Sequence, residues 1–203
     1  MKQLLFIVIA ITVITSCKAQ QTTIIPLDNI SPYEFNQNTY LKDVNNDLDK
    51  FVGTWKFENQ SSEITFMLKK EVQYQLSSDD EYEDMLVGEY QYIDATGVEK
   101  VNTLSSFNNP DIKGYAHNIN GNIFIHTLPV YCIDNSDASE IKIQLAIDDP
   151  IDDYVEGVII LRYKNDNGIE KLEACIYDYS KLAATPDLHI SIPDGYYEFV
   201  KQN

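Results

Sequence analysis

The sequence predicts an all-β fold: an antiparallel meander of about ten strands, closed into a barrel or sandwich and preceded by one short helix. Two patterns carry this. Apolar residues recur with the period of a strand over most of the chain, and turn residues separate those runs at short intervals with no helical segment between them. Composition agrees: 44% hydrophobic and 23% charged residues over 203 positions is enough apolar material for one sizeable core.

Taken in order, Tyr40, Leu41, Val44, Leu48 and Phe51 fall at helical spacing, with Asn38 or Thr39 as the cap. A strand follows at Trp55 to Phe57. Ile64, Phe66 and Leu68 alternate with polar neighbours over residues 62–70, and Val72, Tyr74 and Leu76 continue the alternation. Further strands are predicted over 86–93, 123–128, 140–148, 155–163, 172–177 and 188–199. The clearest is 140–148, where Ile141, Ile143, Leu145 and Ile147 share one face; 155–163 is apolar on both faces, as in a strand covered from both sides. Four turns punctuate the set: Asp94 to Gly97, Asn120-Gly121, Asn167-Gly168 and Pro193-Asp194-Gly195, each with a residue suited to positive φ or a proline that presets a corner. Residues 102–121 form the longest aperiodic stretch. Loops of that length are commonly lids, and Phe107, Tyr115 and His117 are the candidate ligand-covering residues in it.

The start of the chain carries an address. Lys2 precedes an apolar run from Leu4 to Ile14, well short of the about 20 residues a membrane span needs. Ile14-Thr15-Ser16-Cys17 then resembles the lipobox of bacterial lipoproteins, which implies cleavage before Cys17 and a diacylglyceryl group on its thiol. An ordinary secretory peptide cut after Ala19 is the alternative. Three regions follow: a signal peptide over 1–16, a lipid-anchored tether over 17–37, and a β-barrel or sandwich domain over 38–203. The expected place is the bacterial envelope, on the outer membrane and facing the periplasm, with the membrane reached through lipid on Cys17.

A net charge of −17 argues against nucleic acid and against electrostatic docking on anionic lipid. With Cys17 assigned to lipid, Cys132 and Cys175 remain, either as a disulfide in an oxidising compartment or as two separate buried thiols. No spacing suits a metal site or a cofactor, and no nucleophile elbow, His-Glu-x-x-His, phosphate loop or dinucleotide fingerprint is present, so no catalytic residue is assigned. The acidic runs at 79–84 and 148–153 do not fit a calcium loop. Paired carboxylates from Asp148 to Asp153 leave an envelope glycan hydrolase as the alternative to a binding module.

Phe51-Val-Gly-Thr-Trp-Lys-Phe57 resembles the first strand of lipocalin-type, or calycin, barrels, where a Gly-x-Trp places an indole at the closed end. That resemblance implies roles for Gly53 and Trp55, and a late-strand cation over the indole, for which Arg162 and Lys201 are the candidates. The chain as a whole, with Val87-Gly-Glu-Tyr-Gln-Tyr-Ile93 and Val101-Asn-Thr-Leu104, is similar to a family of lipoproteins from Bacteroidota-type bacteria without assigned activity. It implies a location and no mechanism. The acids that often mark surface display in such bacteria are missing from Lys18-Ala-Gln-Gln21. The expected function is a non-enzymatic binding or interaction module, taking a small apolar or amphipathic ligand in the barrel mouth or an envelope protein as partner. A structural or assembly lipoprotein is a further alternative.

Overall fold

The structure is a computed structural model that describes residues 22–29, 38–76, 81–129, 132, 140–151, 155–181 and 189–202. The signal peptide, Cys17, Tyr131, Asp79, Asp80, Asp152 and Asp153 lie outside the described residues.

Among the described residues eleven strands form one sheet: β1 (Thr23–Pro26), β2 (Thr39–Lys42), β3 (Gly53–Glu58), β4 (Glu63–Gln75), β5 (Tyr82–Ile93), β6 (Glu99–Asn102), β7 (Ile119–Ile125), β8 (Lys142–Asp148), β9 (Val155–Asp166), β10 (Ile169–Lys181) and β11 (Gly195–Lys201). Eight of them close an antiparallel barrel in the order β3-β4-β5-β7-β8-β9-β10-β11, with β11 returning to β3. This arrangement fits a lipocalin-like fold. Strand β5 is the hub. It pairs with β4 along one edge, while β2, β7 and β6 share the other edge in tandem.

Period-two patterning decides what faces inward. Ile64, Phe66 and Leu68 of β4 sit opposite Tyr92, Tyr90 and Gly88 of β5, and with Trp55, Ile143, Leu145, Ile147, Ile159, Leu161 and Phe199 they build the main core. Phe66 stacks on Phe199 with ring centroids 4.4 Å apart. The hairpin at Asn167-Gly168 forms as expected, with φ of 54° and 92° joining β9 to β10.

Three expectations are corrected. The helix before the barrel is absent. Residues 39–42 are strand β2, and only Asp49–Phe51 makes a short 3₁₀ turn. Asn46 stands at φ 58°, and the Asp43 carboxylate accepts the amide hydrogens of Asp47 and Leu48, so a turn replaces helical bonding. Asn120-Gly121 opens no hairpin; it lies inside β7, where the register to β8 shifts between Asn120 and Ile123. Pro193-Asp194 leads into β11 instead of joining neighbouring strands. Ile190 and Ile192 before it are buried in the core without belonging to a strand.

The described part of the expected tether also takes part in the fold. Residues 23–26 pair parallel with β2, and Leu27 is buried. The Asp84 carboxylate ties this region down, accepting from the Tyr40 hydroxyl and from the amides of Asp43 and Gln73.

Candidate functional site

Among the described residues, the barrel core is closely filled. Trp55, Phe66, Tyr90, Ile159, Leu161 and Phe199 show no surface that a water molecule could touch. At their positions no room remains for a ligand.

Outside the barrel, one described segment lies against its wall, and Cys132 is tied to that wall by a disulfide. The segment covers residues 103–118 and contains two 3₁₀ turns, Leu104–Ser106 and Gly114–Ala116. It lies on the outer face of β4 and β5. Lys69 of β4 donates to the Phe107 carbonyl at 2.8 Å and stands over the Phe107 ring. Gly114, at φ 51°, passes so close to Tyr74 that a Cβ would meet the ring at 2.2 Å. Tyr115 packs edge-on against Tyr74, and its own ring remains half exposed. The three candidate lid residues therefore line a strap on the outer wall.

Beneath that strap is a buried polar cluster. His117 is fully buried. Its Nδ1 lies 2.8 Å from Glu89 Oε1, and its Nε2 lies 3.7 Å from Glu71 Oε1, beyond hydrogen-bond reach. The Asn118 amide donates to Glu89 Oε2 at 2.7 Å, and the Gly114 amide donates to Glu71 Oε2 at 2.7 Å. Glu89 alternates with the core residues Gly88 and Tyr90, so it points outward from β5, and only the strap makes that outward face an interior. Nearer the start of β5, Asn122 of β7 donates to Glu83, and burial raises the Glu83 pKa while its hydrogen bonds to Tyr115 and Asn122 oppose the rise. Among the described residues, no three His, Cys, Asp or Glu side chains converge to hold a metal ion.

Clefts open beside the strap. One of about 490 Å³ is lined by Glu71, Val72, Gln73, Tyr74, Gln75 and Lys113. A second, about 300 Å³, lies beside Asn118, Asp148, Asp149 and Glu156. Burial, with Glu156 nearby, pushes the Asp148 carboxyl up to about 6. Asp149 instead serves the backbone, accepting from the amides of Ile151 and Ser191.

Cys132 is bonded to Cys175 of β10, with Cα atoms 5.8 Å apart. The bond joins a small cluster in which Val158 and Ile160 of β9 are buried on the outer side, with Ile125, Leu128 and Tyr177 packed around it.

The Gly-x-Trp residues lie at the start of β3. Trp55 is fully buried and donates from its indole to the Phe51 carbonyl at 2.8 Å. The cation over the ring is Lys201, 5.2 Å from its centroid. Gly53, at φ 142°, leaves room for it, since a Cβ there would meet Lys201 Cε at 2.9 Å. Arg162 is not that cation. It points outward from β9 and is held by Glu140 and Glu173.

A family model covers residues 1–202 and is described as a family of unknown function, DUF6705. The chain belongs to that family. No curated protein and no solved structure matches this DUF6705 chain. Its site is therefore described by its own geometry. Sequence reading reached His117 and Tyr115 through the length of their loop. It missed Glu71 and Glu89, because a glutamate pointing outward from a strand carries no sign that a distant loop will bury it.

Proposed function

We propose that the protein is a lipid-anchored envelope module that binds its target on the outer wall of the barrel, without catalysis. The observation that carries this is the filled core: Trp55, Phe66, Tyr90 and Phe199 occupy the space a ligand-carrying barrel keeps open. Recognition then falls to the wall, where the 490 Å³ cleft between the end of β4 and the strap combines a carboxylate, an ammonium, two amides, an exposed valine and a tyrosine. That mixture suits a small amphipathic or peptide-like group better than a purely apolar one. The lipobox-like Ile14-Thr15-Ser16-Cys17 supports the anchor, and the oxidised Cys132–Cys175 pair suits an extracytoplasmic compartment.

The single tryptophan provides the test. Titrating medium-chain fatty acids and charged tripeptides into the ¹⁵N-labelled protein should shift amides of residues 71–75 and 113–115 while the Trp55 indole signal stays fixed. Displacement of the indole signal, with core amides following, would place the ligand inside the barrel and overturn the wall reading. Absence of any shift across both panels would also count against a small ligand and leave a protein partner to be sought by crosslinking.

A further inference from the structure

We infer that a cleft of about 290 Å³ on the outer wall over β7, β8 and β9 binds a cation on an aliphatic stem, the guanidinium or ammonium of an arginine- or lysine-like group. It lies apart from the cleft at the end of β4, and its occupant does not depend on what that cleft holds. A fault in the sheet shapes it. The register of β7 against β8 shifts between Asn120 and Ile123, which leaves Gly121 and Asn122 without partners on β8. Gly121, at φ 143°, brings its backbone so close to β8 that a Cβ would stand 3.2 Å from the Gln144 carbonyl oxygen. Gln144 and Ala146 alternate with the core residues Ile143, Leu145 and Ile147. Glu156 and Val158 alternate likewise with Val155 and Ile159, so all four face outward. Ala146 keeps the floor low. Tyr115 and Ile123, 48% and 53% exposed, supply uncovered apolar surface.

The lining selects the charge of the occupant. Among the described residues no lysine, arginine or histidine lines this cleft. The Asn122 amide spends both hydrogens inward, on Glu83 Oε2 and the Asp84 carbonyl, and the Asn120 amide donates to the His117 carbonyl. What these two residues keep for an occupant is mainly their carbonyl oxygens. Glu83 is 3% exposed, and its Oε1 has no hydrogen-bond partner among the described residues. Asn122 and Tyr115, the two side chains that hydrogen-bond Glu83, both line the cleft, so this half-satisfied carboxylate is seated directly behind it. Glu156 adds a second carboxylate, exposed and outside any ion pair among the described residues. Beyond it, burial and the Glu156 charge push Asp148 up to about 6, as in a carboxylate pair without a cation beside it. An anion would be repelled by these groups. A cation meets them together with the Tyr115 ring, whose π-face attracts positive charge, and its stem packs on Ile123 and Ala146.

Blocked single residues supply the test. N-acetyl-arginine amide titrated into the ¹⁵N-labelled protein should give saturable shifts at the amides of 120–123, 144–146 and 156–158. N-acetyl-citrulline amide keeps the shape without the charge and should bind at least about tenfold more weakly. Glu156→Gln, a change at an exposed side chain, and Tyr115→Leu should each weaken binding of the arginine derivative by about threefold or more. Should Tyr115→Leu not fold, Glu156→Gln and the citrulline comparison decide alone. Equal binding of the two derivatives, or no saturable shift with either, would overturn the cation site. So would tighter binding of a neutral disaccharide at the same amides, or shifts spread over the acidic surface and unchanged by Glu156→Gln. Shifts confined to 71–75 would overturn it too, while leaving recognition at the β4 cleft in place. Spermidine and an arginine-containing tripeptide separate the two sources of such a group: whichever binds more tightly identifies a free amine or a partner's side chain as the occupant.

Discussion

Asp148 shows how one side chain links pH to stability in this fold. Its carboxyl stands at about 6 when folded, against about 4 in an unfolded chain, so the folded state holds the proton more tightly. Stability associated with the protonated form is present below about pH 4 and is lost as the pH rises through 6. Asp148→Asn should therefore raise stability at pH 7.5 by about 1–2 kcal/mol and leave it nearly unchanged at pH 4, as read from urea midpoints at both pH values. Lys201 offers a second test at this scale. Lys201→Met keeps the stem and removes the charge over Trp55, so about 1 kcal/mol should be lost and the tryptophan emission should shift. The cation over the indole was half legible in the sequence. A late-strand partner was expected, and two candidates stood in the right part of the chain. Only the register of β11 against β3, which pairs Lys201 with Trp55, separates them.

At the scale of elements, the strap over 103–118 and the disulfide at Cys132 hold down faces that would otherwise be wet. Met85 and Val87 lie outside the main core, yet they are fully buried on the strap side of β5. Deleting residues 105–118 would expose them and leave Glu89 without its histidine. The melting temperature should fall by about 10 °C or more. A melting temperature within a degree of wild type would show that the strap is a dispensable cover. The disulfide makes the parallel case. It closes a separation of 43 residues, for which loop entropy gives about 4 kcal/mol. Replacing Cys132 and Cys175 by serine should lower the denaturation midpoint accordingly while the fluorescence of Trp55, remote from that cluster, stays native. The strands of both regions were readable because alternation is a local property. Residues 155–163 even announced their double covering by being apolar on both phases, and Val158 to Leu161 are all buried. The covering itself was not readable: it depends on where an aperiodic loop lands, and nothing local records that. The missing helix has the same origin, since helical spacing over Tyr40 to Phe51 was outweighed by Asp43, whose carboxylate takes the amides a helix would need.

For the whole molecule, the first consequence concerns the anchor. Strand β1 begins at Thr23, so few residues separate it from Cys17, and at about 3.5 Å each they reach only about 20 Å. If Cys17 carries lipid, the acidic body is held close to the bilayer. Labelling with a clickable fatty acid should then tag the protein, and Cys17→Ser should erase the tag and release the domain into the soluble fraction. Persistence of label in that variant would refute acylation at this cysteine.

The barrel wall is also not uniformly sewn. Strands β5 and β7 meet over three residue pairs, and β11 meets β3 over two, whereas β9 and β10 are zipped along nearly their whole length. The cylinder is thus two half-shells, β3-β4-β5 and β7 through β11, joined by two thin stitches. Amide hydrogens at those stitches should exchange with deuterium long before those of the β9–β10 ladder, and opening there would part the shells like the valves of a clam.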